Sequence, residues 1–419
     1  MEIKLPYGGT SFDLDLPCDV RVEGASHPPA LADPGGALSS AIMAPVQSKP
    51  LPGLLQGTGR ISVLISDISR GRASGAILEL LLERLVDLGV DRKRIEIFLA
   101  TGMHRGHTPE ELAGYLGPGT ISRYRIVEHD AINGSFVEAG VTSAGTTCLF
   151  NERVADSSLV IGLGTVSFHY FAGFGGGRKL ILPGISSEST IIANHRLSLL
   201  EDAGDGLVEG CRPANIAGNP VHEDMLEGAR LLPAPVFMLN TVFDRDGRLV
   251  FINAGDLDRS YRAAVDWYRG KYSFGITRPY KAVLASAGGA PKDINLLQSH
   301  KAVRHAAEAV DHGGVLMIAA ACPEGIGSDS YDDAFREGRD AVPGRVSSKY
   351  TLNSQRAMST YDLTGRLSIY MRSSLAESEL ARFGFCPWRE DYTRYLIDGL
   401  RADEILVIRD AAAFLPVLS

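Results

Sequence analysis

Between Phe168 and His195 the chain reads FHYFAGFGGGRKLILPGISSESTIIANH. Lys179 follows His169 by ten positions, and His195 follows Lys179 by sixteen. An amine and two imidazoles are groups that do nucleophilic, acid–base and metal-ligating work. Four of the five residues from Gly173 to Gly177 are glycine, directly before Arg178 and Lys179. Glycine removes the side chain where the backbone must bend sharply or lie close to something bulky, so a bulky ligand is expected on this loop. The loop fails the P-loop pattern, because Arg178 occupies the glycine position before Lys179. It also fails GxGxxG, because Arg178 stands where the last glycine belongs. Triphosphate and dinucleotide loops of the known kinds are therefore not indicated. On these residues alone, a tight turn with a solvated lysine is the bland alternative.

Three further stretches carry possible chemistry. In SDISRGR, Asp67 and Arg70 directly follow a short β-branched run, where backbone N–H groups and a guanidinium together can hold a phosphate or carboxylate. A helix cap with a surface ion pair is the alternative. In ATGMHRGHTPEEL, His104 and His107 have HxxH spacing, but Thr108 and Pro109 signal a helix start and set both histidines on a loop. A zincin would need HExxH on a helix, which is absent. His104 is the one expected to act as acid or base, and His107 is expected to be solvated. In GGAPKDINLLQSHKAV, Gln298 and Lys301 are three apart and share a helix face. An amide and an ammonium there could hold a carboxylate, or could simply be solvated.

The elements that must position these groups are legible from periodicity. ISVLIS (Ile61 to Ser66) suits a buried strand, the following GAILELLLERLVDLGV has helical apolar spacing, and RIEIFLA (Arg94 to Ala100) is the next strand. That order is a βαβ unit and predicts a parallel sheet. SLVIGLG (Ser158 to Gly164) reads as a strand running into the glycine loop, with a helix leaving it over SESTIIANHRLSLLED. The loop thus sits at a strand's C-terminal end, where open α/β sheets bind ligands. KAVLASAGG (Lys281 to Gly289) begins a second alternation, with a helix near Asn295 to His312 and strands in GGVLMIAAAC and RLSIYMRS. Residues 28–53 read as an ordered lead-in with a short helix. The expectation is an α/β fold of two α/β domains with mainly parallel sheets and the active site in the interdomain cleft. Residues 1–275 would form the first domain and 276–400 the second, with a boundary near 275. The tail, 401–419, could return to the first.

A chain of 419 residues supports two domains, each able to bury a core. The net charge of −8 argues against nucleic acid and membrane surfaces as partners and favours a small molecule. The five cysteines lie far apart without CxxC, so neither a disulfide scaffold nor a zinc ribbon is indicated. No signal-peptide pattern opens the chain, and no apolar run approaches the roughly 18 residues of a membrane span, so the cytoplasm is expected.

Taken in order, from Pro28 to about Gly327, these stretches resemble the lactate racemase family, enzymes that carry a nickel-pincer nucleotide. The combination most specific to that resemblance is His169, Lys179 and His195 at their spacing around GFGGGRK and LPG. It implies that Lys179 joins the cofactor through a thioamide, and that His195 completes the nickel coordination. Soft sulfur donors plus imidazole suit square-planar Ni(II). Gly175, Gly176, Gly177, Arg178 and Asp67 would surround the cofactor. His104 and His169 would be the acid–base pair, Asp67 and Gln298 would assist, and Arg70 and Lys301 would hold the substrate carboxylate. The implied reaction interconverts stereoisomers of a 2-hydroxy acid: a histidine takes the hydroxyl proton, the α hydrogen leaves as hydride to the cofactor, and the flat 2-keto acid accepts it on the other face. Two enantiomers need two bases. Enzymes that build the cofactor would be maturation partners. Leu297 stands where the family carries an aromatic before the glutamine, which points to a side chain other than lactate's methyl, as in malate, a longer acid or a sugar acid. Tyr361 is considered for a pocket aromatic. A carrier that binds the nucleotide without turnover is the alternative from another class, and a zinc hydrolase lacks ligand spacing.

Overall fold

The structure, a computed structural model, describes residues 1–16, 19–24, 26–68 and 73–418. Six strands form the first sheet in the order Leu249–Gly255, Val236–Phe243, Leu159–Thr165, Ile61–Ser66, Ile95–Ala100, Arg125–Glu128. All neighbours are parallel except the first pair. Ile61, Val63, Leu64 and Ile65 are wholly buried, and so are Ile97, Phe98 and Leu99. A parallel sheet buried on both faces demands such unbroken apolar runs, since no strand can turn one side to water. Helix Ala73–Asp87 covers one face through Ile77, Leu78, Leu81 and Leu85.

From strand 61–66 the chain moves outward to 95–100 and 125–128, then returns to the other side of 61–66 with 159–165. The order therefore reverses between strands 61–66 and 159–165, which opens a crevice at their C-terminal ends. Register aligns those ends, with Ser66 opposite Ala100 and Ile65 opposite Leu163. Asp67, the 101–107 loop and the glycine loop all begin there.

The second sheet is parallel throughout, in the order Cys386–Pro387, Ser368–Arg372, Val310–Ala319, Tyr280–Ser286, Ile405–Ile408, Arg21–Glu23. The strand Arg21–Glu23 at its edge shows that the beginning of the chain belongs with this sheet and not with residues 60–272. The hairpin of Glu2–Tyr7 with Thr10–Asp15 turns Ile3, Leu5 and Leu14 onto Ala282, Leu284, Met317 and Val407. This departs from a single unit spanning 1–275; the alternation in EIKLP is the signal for the missing hairpin. The lead-in contains helix Pro34–Met43, capped by Asp33. Strand Ser273–Ile276 pairs in parallel with Leu415–Leu418. Ala413, Phe414 and Leu415 join Phe168, Phe174, Tyr261, Tyr268 and Tyr272 in one apolar cluster beside the glycine loop.

Four histidines packed in these cores are held neutral. Burial pushes His222 down to about 2, with the Arg178 charge adding to the effect, and burial lowers His129. His300 and His305 are lowered well below the usual 6.5, by burial first and then by Arg356 and Lys301 respectively. Below that value the unfolded chain takes up protons that the folded chain refuses, so stability falls as pH drops. Each histidine contributes up to about 1.4 kcal/mol per pH unit. Urea unfolding of the cofactor-free chain is expected to show a steep loss of stability between about pH 6.5 and pH 4.5; a flat profile there would contradict this burial.

Candidate active site

Strand Leu159–Thr165 leads into a short antiparallel pair, Phe168–His169 with Gly173–Phe174, so that Tyr170, Phe171 and Ala172 form a tight reversal next to His169. The glycines that follow are required by the protein's own packing. Gly177 has φ of +54°, and a Cβ there would lie 2.4 Å from the Tyr261 ring. Gly176, at φ of +73°, would bring a Cβ within 2.8 Å of the Thr165 carbonyl oxygen. At Gly175 the nearest atom is 3.7 Å away, an ordinary contact. Most of the bulk expected from the glycines is thus Tyr261 and folded backbone, with Gly175 alone of the three leaving room.

Arg178 points into the core. It is completely buried, donates to the Phe174 carbonyl at 3.2 Å, the Ala172 carbonyl at 3.0 Å and the Tyr261 hydroxyl, and lies 4.8 Å from the Tyr261 ring centroid. It pins the reversal from beneath. Lys179, half-buried, goes the other way: its Nζ lies 3.3 Å from His169 Nε2 and 5.5 Å from the Phe171 ring centroid.

Two imidazoles are anchored through Nδ1. His104 Nδ1 lies 3.0 Å from Asp67 Oδ2, and that carboxylate is nearly buried while the imidazole is 45% exposed. The Ala172 N–H donates to His169 Nδ1 at 3.3 Å. The two rings differ in tautomer: the Asp67 carboxylate draws the His104 ring proton to Nδ1 and leaves the Nε2 lone pair open, whereas His169, whose Nδ1 accepts, carries its ring proton on Nε2. His195 comes from helix Glu188–Arg196, capped by Ser187. It is buried, its Nδ1 makes no hydrogen bond, and burial followed by the Lys179 charge lowers it to about 3. It stays a neutral imidazole with a lone pair. Phe171, which the sequence does not single out, separates the groups, 4.7 Å from the His169 ring and 5.2 Å from the His195 ring.

Arg70 lies outside the described residues. Gln298 and Lys301 occupy helix Leu296–Ala307, where the Asn295 side chain accepts the Gln298 N–H; Gln298 is exposed and Lys301 half-buried. This helix reaches the His169 strand through two rings: His300 stands edge-on to Tyr170 at 5.2 Å and His305 to Phe168 at 5.6 Å. Tyr361 lies beneath the Arg339 guanidinium at 4.4 Å.

His107 is not solvated. Its side chain is 2% exposed, Nε2 accepts the Ile68 N–H at 3.2 Å, and Nδ1 meets Glu128 Oε2 at 2.9 Å. Since Nε2 accepts, the ring proton sits on Nδ1 and is donated to Glu128. The HxxH pair is therefore a clamp, tying the ends of strands 61–66, 95–100 and 125–128 together around the Asp67–His104 pair. Among the described residues, no group of three or more His, Cys, Asp or Glu could hold a metal ion.

The site is thus an α/β switch point that gathers histidines and a lysine, as small-molecule enzymes of this fold class do, and comparison with known proteins gives the family. Residues 7–206 match the lactate racemase N-terminal domain and residues 277–359 the lactate racemase C-terminal domain. The chain is 31% identical over 346 residues to a lactate racemase of Thermoanaerobacterium thermosaccharolyticum, covering 81% of this chain and 78% of that one. It is 32% identical over 288 residues to a lactate racemase of Lactiplantibacillus plantarum, covering 68% and 66%. The solved lactate racemase apoprotein from T. thermosaccharolyticum superposes with a TM-score of 0.88 at 26% identity, covering both chains in full. A Thermotoga maritima protein at 18% identity matches with a TM-score of 0.66 over 88% of this chain and 97% of its own, which shows the fold alone. The chain belongs to the lactate racemase family and is an isomerase of the racemase class.

Two outcomes follow from the packing. Gly177→Ala is expected to lower stability by about 2 kcal/mol or more, through the Tyr261 contact and the positive φ, while Gly175→Ala stays within about 1 kcal/mol; denaturant titration compares them. His107→Phe strands the Ile68 N–H and Glu128 at a loss of about 1–3 kcal/mol, whereas His107→Gln can still accept from Ile68 and recovers part of it, read in the same titration.

Proposed function

We propose that this racemase interconverts the stereoisomers of a 2-hydroxy acid, with a nickel-pincer nucleotide joined to Lys179. The observation that carries the reading is the pair of Nδ1-anchored imidazoles, one of them 3.3 Å from Lys179. The residues fit the cofactor. His195 offers one neutral, buried imidazole beside a lysine, and the absence of a protein ligand cluster among the described residues suits a metal whose other ligands come from the group itself. Gly175 leaves space at the loop, and Arg178 keeps the backbone that carries Lys179 rigid.

When bound, the cofactor supplies the hydride acceptor and donor that spares the chain from removing a very weakly acidic α proton. The chain's own residues move the other hydrogen. His104, oriented through Nδ1 by Asp67, takes the hydroxyl proton of one enantiomer at Nε2 and returns it in the reverse direction; His169 serves the other enantiomer in the tautomer that gives up the Ala172 N–H and frees Nε2. Arg70 and Lys301 hold the carboxylate, with Gln298 beside them, in the cleft between the two sheets. Closure of that cleft keeps water from the keto acid. Enzymes that build the cofactor are the maturation partners, and the thiols of Cys148, Cys211, Cys322 and Cys386, all unbridged, fit the reducing cytoplasm.

Protein produced alongside those enzymes is expected to carry an added mass on Lys179 with near-stoichiometric nickel. Lys179→Ala loses both, and His195→Ala keeps the adduct but loses nickel. His104→Ala and His169→Ala keep both while kcat falls by about 10²–10⁴. Intact mass, metal analysis and a chiral assay read the four variants. A wild-type chain with neither adduct nor nickel would overturn the proposal, and normal adduct and nickel with no turnover to lose in His104→Ala would favour a non-catalytic carrier.

A further inference from the structure

Arg356 differs in its pairing from Arg304, Arg345 and Arg382. Arg304 pairs with Glu308 at 2.7 Å, Arg345 with Asp333 at 2.9 Å, and Arg382 with Asp332, whereas no described carboxylate pairs with Arg356. It is the third residue of helix Ser354–Arg366 and is half-buried. Nη1 donates to the Leu297 carbonyl at 3.2 Å, the residue before Gln298 and four before Lys301 on helix Leu296–Ala307. Its Cζ lies 4.8 Å from the centroid of the Tyr170 ring, which stacks on His169 at 5.1 Å. The guanidinium therefore lies against the helix of Gln298 and Lys301 and two ring contacts from His169.

Two polar groups at this point lack partners. Arg356 Nε is buried without a hydrogen bond, and His300, 2% exposed and edge-on to the same Tyr170 ring, has neither ring nitrogen bonded. A half-buried cation with unused donors is stabilised when an anion meets it, and the planar fork of a guanidinium matches a carboxylate. In the proposed reaction the carboxylate next to the reacting carbon already belongs to Arg70 and Lys301. A further cation on the adjoining wall needs a different anionic group.

We infer that Arg356 receives a second carboxylate at the far end of the substrate, so that the preferred substrate is a 2-hydroxy dicarboxylate rather than a 2-hydroxy monocarboxylate. The inference rests on the proposed racemisation and deepens it. The stacking on Tyr170 would hold the guanidinium in place.

The test uses nickel-loaded wild type, Arg356→Gln and Arg356→Lys with 2-hydroxysuccinate and lactate, measuring kcat/KM by chiral assay and thermal stabilisation by each acid on the same preparations. Wild type is expected to favour 2-hydroxysuccinate, and Arg356→Gln to shrink that preference by about 100-fold, chiefly through KM, as loss of a charged partner to a carboxylate does. Arg356→Lys, which keeps the charge without the fork, should fall between the two. A wild-type preference for lactate, or an equal loss on both acids in Arg356→Gln, would overturn the inference. Turnover of neither acid by the loaded enzyme, with Arg356-dependent stabilisation by 2-hydroxysuccinate intact, would instead remove the racemisation proposal and leave the second-carboxylate site standing.

Discussion

The buried guanidinium of Arg178 is the constraint from which the rest of the site follows. A charge taken fully out of water costs least where its donors are met, and here the Phe174 and Ala172 carbonyls and the Tyr261 hydroxyl take both Nη groups under the Tyr261 ring, while Nε alone has no partner among the described residues. Those carbonyls belong to the reversal after His169, so satisfying the charge fixes the shape of that reversal. Gly176 and Gly177 must then be glycine, because the chain passes against Thr165 and Tyr261. Lys179, next along, is turned to the opposite side, toward His169 and Phe171. One buried cation thus sets an amine beside an imidazole.

The sheet supplies the second half of the geometry. Strands 61–66, 95–100 and 159–165 end side by side at the reversal of strand order, and each end delivers a different function: Asp67, His104 and the glycine loop. The His107–Glu128 clamp keeps two of those loops and the edge strand in step. Proton-handling groups are set from the first sheet, while the helix of Gln298 and Lys301 comes from the second and touches the reversal through His300 and His305. The candidate site therefore draws residues from both sheets, His104 and Lys179 from the first and Gln298 and Lys301 from the second.

Much of the sheet order was legible because its strands are unbroken apolar runs separated by helical spacing: ISVLIS, RIEIFLA and SLVIGLG all appear as strands, and LLQSHKAVRHAA as a helix. The spacing of His169, Lys179 and His195 likewise pointed to one site. What local pattern could not show was direction. Arg178 and Lys179 are adjacent cations with opposite fates, decided by Tyr261, 83 residues further on. His107 looks like a surface residue beside Arg105 until Glu128, 21 positions away, and the Ile68 N–H take its two nitrogens. The first hairpin pairs within itself, but the face of the second sheet that it covers lies more than 250 residues downstream, so local pattern could not place it.

The most direct test of the account is racemisation of a 2-hydroxy acid in heavy water with nickel-loaded protein, following deuterium at the α carbon. If the histidines move only the hydroxyl proton, as proposed, the product keeps its α hydrogen and the solvent label does not enter. Incorporation of solvent deuterium at the α carbon in step with racemisation would make His104 and His169 bases toward carbon and would contradict the division of labour drawn here.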